Sequence, residues 1–397
     1  MRYKELIEDK LNGLTVMSLN LFVDSSSPSE PDEPDVSNEL DDATIDELTE
    51  ANFGLGSTYR VAKSDEMQDY LNRVKTKTKN KVDKYKMPYV HGSNITVVND
   101  AGKKYDLESL KQEITTRPTS LLKQNEKMKH SNGTATVYYN VGLPALKGLA
   151  VNENTGEFVI VDTCPGAGTC KTYCYAMKGS YVMFKNVSMK QTQTLNFLLN
   201  DPKGFENELK KEIATVIAKW RKFSDSDLKK GSVAVAIRWH DAGDFFSPEY
   251  MNAAFDVARA FPDNDFYAYT KMAKVANAPK PTNFKINFSS GALPSQEKQV
   301  DLTQIKHAIV VPKDMFRGKL TLDADKKWQW NSASDFEIFK NELATKYKIN
   351  PKSILTYDEF ITKPKSDIPI WNVIVKPGEG DTSANSQSVI GTYLLFH

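Results

Sequence analysis

The sequence predicts an α/β fold in which strands and helices alternate as a barrel or partial barrel, preceded by an acidic N-terminal extension. Three observations carry this prediction. From residue 130 to residue 397, short apolar runs alternate with helical stretches, the texture of successive strand–helix units. Ser232–Arg238 (SVAVAIR) is an almost unbroken apolar run, as expected of a central parallel strand covered on both faces. Ser247-Pro248 supplies a helix N-cap followed by proline at the first helical position, so the strand is followed by a helix start.

Taken in order, residues 3–22 contain a short helix, and Ser25–Asp42 (SSSPSEPDEPDVSNELDD) is rich in serine, proline and acids. That segment has too little apolar surface to offset the entropy of ordering and is expected to be disordered. Ala43–Ala51 reads as a short acidic helix and Ser64–Lys77 as a longer one. The chain thus divides into an N-terminal arm (1–59), a basic, mostly helical accessory region (60–129) and an α/β region (130–397). Within the last, Phe158–Thr163 (FVIVDT) is the first clear strand, and a helix follows over Val182–Leu199. A second helix, Phe205–Phe223, places Leu209, Ile213, Ile217 and Trp220 on one face. The helix opened by Ser247-Pro248 runs to about Ala260. Asp265–Thr270, Lys285–Ser289, Ala308–Val311 and Trp371–Val375 complete the expected strands.

The charge balance, 52 Lys+Arg against 51 Asp+Glu in 397 residues, averages over a partition. Between Lys10 and Arg60 there is no basic residue but eleven acids, whereas residues 60–397 hold 49 basic and 37 acidic side chains, a net +12. Arg73–Lys86 carries seven basic residues against Asp83 alone. Such a run can contact nucleic-acid phosphates, but it equally forms a solvated face or a partner for the acidic arm. No apolar run approaches the roughly 18–20 residues that span a bilayer, which excludes a membrane-spanning helical protein. Glu5, Glu8 and Asp9 are unlike the basic start of a signal peptide. Three cysteines exclude a disulfide scaffold and fit a reducing cytoplasm.

Those three cysteines, Cys164, Cys170 and Cys174, fall within eleven residues, in the segment T-C-P-G-A-G-T-C-K-T-Y-C-Y-A at the end of the FVIVDT strand. Gly166 and Gly168 let the backbone wrap closely, as an iron–sulfur cluster requires of its thiolate loop. Three thiolates would leave one iron of a 4Fe-4S cluster open to another ligand. Zinc with a fourth ligand such as His240, independent buried cysteines, and redox disulfide chemistry are the competing readings.

The spacing C-x5-C-x3-C followed by Tyr175-Ala176 and Lys178-Gly179, with Trp239–Ser247 (WHDAGDFFS), Tyr269-Thr270-Lys271 and a Gly378–Asp381 turn before Gly391–His397, resembles the phage gene product 88 family. That family is in turn similar to the radical S-adenosylmethionine superfamily. The resemblance implies a radical-SAM-like partial TIM-type barrel in the host-cell cytoplasm, with a 4Fe-4S cluster on the three cysteines. Its open iron would bind S-adenosylmethionine, and an electron donor would drive cleavage to a 5′-deoxyadenosyl radical. Tyr173 stands where the superfamily has an aromatic before its third cysteine, although the spacing here is wider than C-x3-C-x2-C. Ala242-Gly243-Asp244 stands where a Gly-Gly-Glu-like turn contacts the methionine amine.

On this reading Tyr173, Ala242, Gly243, Asp244 and Tyr269 bind the cofactor, and His240, Asp241 and Lys271 serve the chemistry. Each has a plainer alternative. His240 is a structural hydrogen-bonder, Asp244 precedes a helix N-terminus, and Tyr269 is core material with a polar tip. The alternative for the whole chain is a non-catalytic phage protein stapled by iron–sulfur or zinc. Its basic body would then contact nucleic acid or a phage partner, with residues 24–50 shielding it.

Overall fold

The computed structural model describes residues 54–63, 67, 89–91, 94–96, 107–124, 136–174, 176, 181, 185–226, 234–324, 327–364, 366–376, 379 and 382–395. The first strands are β1 (Tyr59–Val61), β2 (Tyr89–His91), β3 (Asn94–Thr96), β4 (Thr136–Val141), β5 (Lys147–Asn152) and β6 (Glu157–Asp162), with α1 (Leu107–Thr115) between β3 and β4. The cysteine segment follows and contains the single turn α2 (Cys170–Tyr173). Next come α3 (Lys185–Asn200), α4 (Pro202–Ser226), β7 (Ala234–Trp239), α5 (Pro248–Arg259), β8 (Asp265–Thr270), α6 (Ala273–Asn277) and β9 (Phe284–Ser289). The described chain ends with α7 (Pro294–Glu297), β10 (His307–Val310), the hairpin β11 (Leu320–Leu322) and β12 (Trp328–Trp330), α8 (Ala333–Tyr347), β13 (Ile354–Thr356), α9 (Tyr357–Thr362), β14 (Trp371–Val375), α10 (Thr382–Asn385) and β15 (Val389–Leu394).

Eight of these strands form one sheet in the order β13-β14-β15-β10-β9-β8-β7-β4, and every neighbouring pair is parallel. Side chains alternate between its faces. One face presents Val235, Ile237 and Trp239 of β7, Phe266 and Ala268 of β8, and Phe284, Ile286 and Phe288 of β9 to the apolar sides of α4 and α5. Leu209 and Ile213 are the buried anchors of α4, with Ile217 and Trp220 packed partly against them, which is the face the sequence periodicity predicts. The opposite face is covered differently. Near β4, β7 and β8, Tyr138, Ala236 and Tyr267 pack with Ala384 of α10. Near β13 and β14, Leu355, Val373 and Val375 pack with Tyr357 and Phe360 of α9.

The expected α/β alternation is therefore present, with a central parallel sheet. Among the described residues its end strands β13 and β4 are not paired with each other, so the row has two ends rather than a closed ring. The expected strands Asp265–Thr270, Lys285–Ser289 and Trp371–Val375 coincide with β8, β9 and β14 to within one residue. Ser247 caps α5 as predicted, its hydroxyl accepting from Tyr250 N.

One placement requires correction. The FVIVDT strand is β6, which pairs antiparallel with β5 and β1 in a separate three-stranded sheet. The physical reason is the turn after Asn152, closed at Gly156 with φ near +74°. It folds β5 back on β6 as a hairpin instead of sending the chain through a crossover helix. The first strand of the parallel sheet is β4, which sequence reasoning missed.

The described residues lie within one compact unit, Glu47–His397. The expected helices at 3–22 and Ala43–Ala51, the disordered segment Ser25–Asp42 and the basic run Arg73–Lys86 lie outside the described residues, as does the helix Ser64–Lys77 apart from Met67. No helix among the described residues is long and apolar enough to cross a membrane.

Candidate functional site

The cysteine loop leaves β6 and docks across the C-terminal ends of the parallel strands. Gly168 N and Cys170 N both donate to Gly291 O just beyond β9, at 3.0 and 3.2 Å, and Leu293 N donates to Gly166 O at 2.9 Å. Ala167 and Ala292 form an antiparallel bridge. The glycines are required by this contact. A Cβ on Gly168 would collide with the Ala292 carbonyl, and one on Gly166 would stand 2.5 Å from Lys271 O. Both obstacles are backbone, so neither yields cheaply. Gly168→Ala is expected to cost about 1–3 kcal/mol as an overpacked contact and to lift the loop from β9. A lowered thermal midpoint with faster alkylation of Cys170 would show it.

The loop brings the three free thiols into one electrostatic neighbourhood. Cys174 acts on both Cys164 and Cys170 and packs beside Ala145, Ala176 and Ala242. Burial pushes the Cys164 thiol well above the ordinary range, and the Asp244 carboxylate adds to it, while Leu146 N opposes it by donating to Sγ at 3.2 Å. Burial also raises Cys170, countered first by the Lys271 ammonium. Among the described residues, no three His, Cys, Asp or Glu side chains already stand as a metal-holding group. The thiols are neighbours without converging on one point.

Asp244, in the turn after β7, is enclosed. Its Oδ1 accepts from Thr270 Oγ1 and from Phe245 N, each at 2.7 Å, and its Oδ2 accepts from Lys271 N at 2.8 Å. Its own N–H donates to Thr163 O at 2.8 Å, one residue before the first cysteine. The carboxylate therefore ties the β7 turn to the end of β8 and to the cysteine loop. Ala242 O accepts from Leu143 N at 3.0 Å. Gly243 takes φ near +82°, and a Cβ there would meet Leu143 Cβ at 2.8 Å. The Ala-Gly-Asp turn thus builds the wall behind Cys174.

His240 turns the other way. Its backbone is left-handed, φ near +67°, a region histidine enters more readily than bulky residues. Its ring packs against Phe245 and Tyr250, and Nε2 shares a 2.7 Å hydrogen bond with Tyr250 OH. Burial lowers its pKa to about 3, with Arg238 adding to the effect, so the ring is neutral at physiological pH. It occupies the place of a structural hydrogen-bonder. Asp241 lies closer to the loop. Its Oδ2 pairs with Lys123 Nζ at 3.0 Å and accepts from Tyr181 OH at 2.9 Å, while its buried Oδ1 has no partner.

Lys271 and Tyr269 sit at the end of β8. Lys271 Nζ donates to Ser289 Oγ at 3.0 Å, and the Arg238 guanidinium lies 4.9 Å from the centre of the Tyr269 ring. Tyr173 closes α2 between the second and third cysteines. His240–Asp244 and Tyr269–Lys271 thus lie at C-terminal ends of parallel strands, and the cysteine loop reaches those ends from the smaller sheet. Sequence reasoning missed Arg238, Tyr181 and Tyr250, and had Thr270 only as the middle of the Tyr269-Thr270-Lys271 motif. Of the missed residues, only Arg238 carried a signal, as the one charge in an otherwise apolar strand.

The comparisons bear on the same part of the chain. The family model for gene product 88 matches residues 119–352, which include all three cysteines and the turns after β7 and β8. The Gene 88 protein of Mycobacterium phage D29 is 31% identical over 166 residues, 41% of this chain and 60% of that protein. The Gene 88 protein of Mycobacterium phage L5 is 30% identical over 149 residues, 37% of this chain and 54% of that protein. The match therefore spans less than two thirds of either relative. No solved structure matches the chain. With more than half of its length under the family model, this chain belongs to the gene product 88 family of phage proteins.

Proposed function

We propose that the protein binds a 4Fe-4S cluster through Cys164, Cys170 and Cys174, with one iron left for a further ligand, and that this ligand is S-adenosylmethionine. The observation that carries the reading is that every thiol of the chain lies on one loop docked over the C-terminal ends of β8 and β9. That is where an open α/β sheet collects its ligands.

The donor set suits the group chemically. Burial first, with the Asp244 carboxylate adding to it, pushes the Cys164 and Cys170 thiols toward the protonated form, and a cationic metal centre is what stabilises such groups as thiolates. The small residues Ala145, Ala176 and Ala242 line that flank of Cys174, with Tyr181 packed beside them. A bound cluster would supply an electron to the ligand on its open iron, and the protein would supply position and shielding. Asp244 fixes the loop relative to β8, and Lys271 places a positive charge beside Cys170. The radical-SAM-like partial barrel belongs to this same proposal, supported by the parallel sheet and the clustering of loops at its C-terminal edge.

The test is metal and sulfide analysis of full-length protein prepared without oxygen. About four iron and four sulfide per chain are expected, with absorbance near 400 nm that is lost in Cys164→Ser, Cys170→Ser and Cys174→Ser. Stoichiometric zinc with no sulfide would overturn the assignment and favour a metal-stapled binding protein. Dithionite-reduced protein should convert S-adenosylmethionine to 5′-deoxyadenosine. A cluster that neither binds nor cleaves it would remove the radical chemistry from the proposal.

A further inference from the structure

The turn after β7 carries two aspartates, and each is bound to a different end of the cysteine loop. Asp244 takes the entry, because its N–H donates to Thr163 O at 2.8 Å, one residue before Cys164. Asp241 takes the exit. Its Oδ2 accepts from Tyr181 OH at 2.9 Å, seven residues beyond Cys174. Tyr181 and Cys174 also pack against the same small residues, Ala145, Ala176 and Ala242, and Ala242 is the neighbour of Asp241 in the turn. The Asp241 side chain is only 3% exposed. A carboxylate so enclosed holds its charge only where a cation balances it.

That balance comes from Lys123. Its Nζ lies 3.0 Å from the same Oδ2 and 5.9 Å from the centre of the Tyr181 ring, so one cation faces both partners. Lys123 is itself held by β4, α4 and α3. Its backbone exchanges hydrogen bonds with Asn140 of β4 at 2.8 and 3.0 Å. Just before it, Leu121 N and Leu122 N donate to Glu212 of α4 at 2.6 and 2.9 Å. Lys190 of α3 donates to Ser120 Oγ at 2.8 Å and to Leu122 O at 3.3 Å. Leu121 and Leu122 are buried in the core, which anchors this short segment further. Gly142 completes the fit. A Cβ there would stand 1.9 Å from Asp241 Oδ1 and 3.0 Å from Lys123 Nζ, so the end of β4 must stay bare for the pair to form.

We propose that Asp241 is a positioning residue for Cys174: through Tyr181 it fixes the exit of the cysteine loop, with Lys123 as its counter-ion, as Asp244 fixes the entry. The spacing of the two aspartates in the turn then serves to close both ends of one loop. This role differs from the chemistry that the sequence resemblance implies for Asp241. The inference rests on the proposed function for what Cys174 is used for, but the placement of the thiol can be read in metal-free protein.

The experiment measures the alkylation rate of each cysteine separately, by peptide mapping of full-length, reduced, chelator-treated protein after timed exposure to iodoacetamide. Tyr181→Phe keeps the ring and removes the hydroxyl. It should speed alkylation of Cys174 about tenfold, the factor expected when a hydrogen bond to a charged acceptor is lost from a local closing equilibrium. Cys164, whose Sγ accepts from Leu146 N, and Cys170, whose N–H is held by Gly291 O, should keep their rates. Asp241→Ala should expose Cys174 at least as much as Tyr181→Phe. Asp241→Asn should keep most of the protection, because its carboxamide oxygen still accepts from Tyr181. Gly142→Ala, whose added methyl meets Asp241 and Lys123 first, should also expose Cys174 selectively. The proposal is overturned if Tyr181→Phe leaves Cys174 as protected as in the wild type, or if Asp241→Asn is no better protected than Asp241→Ala. It is equally overturned if all three rates rise together, the mark of a loosened fold rather than a lost tether. Selective exposure of Cys174 in a chain that takes up no iron or sulfide would sink the cluster and leave the clamp, whereas a protected Cys174 in Tyr181→Phe would sink the clamp and leave the cluster.

Discussion

Acidification from about pH 7 to about pH 4 is expected to remove about 6 kcal/mol of folding stability through two buried histidines. Burial lowers the pKa of His240 to about 3 and that of His307 to about 4, from an ordinary value of 6.5. Burial holds His307 neutral, with the Lys306 ammonium adding to it, against the Nδ1 donation to Ile305 O at 3.0 Å, which favours the charged ring; Nε2 faces Tyr393 OH at 3.1 Å. A histidine whose folded-state pKa is depressed contributes stability that is present above the unfolded pKa and lost as the pH falls through that window. At pH 4 each contributes about 3 kcal/mol of loss, against a total stability of about 5–15 kcal/mol for a folded domain. Denaturant titrations across this range should show the midpoint falling steeply below pH 6.5. His240→Asn, which tolerates the left-handed backbone, should remove about half of the slope whatever it does to the absolute stability. A stability that stays level down to pH 4 would refute the account.

Asp244→Ala is expected to cost about 3–5 kcal/mol, the cost of orphaning the buried donors of a charged acceptor. Thr270 Oγ1, Lys271 N and Phe245 N all lose their acceptor at once. Asp244→Asn should cost less, because one oxygen remains and Thr270 Oγ1 can accept from the new amide. The two variants also differ in consequence for the cysteines. Without the carboxylate the Lys271 segment is untethered, so alkylation of Cys170 should speed up in Asp244→Ala more than in Asp244→Asn. Equal midpoints for wild type and Asp244→Ala would show that the turn is held by Thr163 O and packing alone.

The legible parts of the sequence were those where one force acts without competition. β7, β8 and β9 are read directly because their core-facing residues, such as Ile237, Phe266 and Phe284, are buried and apolar. β4 and β15 escape because their sequences, TVYYNV and VIGTYL, mix threonine, tyrosine, asparagine and glycine. In β4, Tyr138 packs with Ala236, Tyr267 and Ala384, and Asn140 lies fully buried on the same face, so a polar residue sits where periodicity expects an apolar one. The FVIVDT run identifies a strand but not its sheet, because an apolar run reads alike in a parallel core and in a hairpin. The turn Asn152–Gly156 was the available signal. The clustering of the thiols was legible from spacing alone. The inward turn of His240 toward Tyr250 was not, since it depends on a left-handed φ and on a hydroxyl ten residues away.

The position of β15 has a consequence for how the chain reaches this state. It lies between β10 and β14 and pairs with both, yet it follows every other strand of the sheet in the chain. Without it, β4, β7, β8, β9 and β10 would form one ribbon and β13 and β14 another, each with an unpaired backbone edge at the place β15 fills. Such edges recruit strands from other chains, and the pairing that removes them joins His307 to Gly391, a distant contact that closes slowly. A refolding chain in which β15 has not yet paired is therefore expected to aggregate more readily than one in which it has. Conditions that favour early capture of Val389–Leu394 should therefore govern its refolding yield more than the stability of the finished sheet.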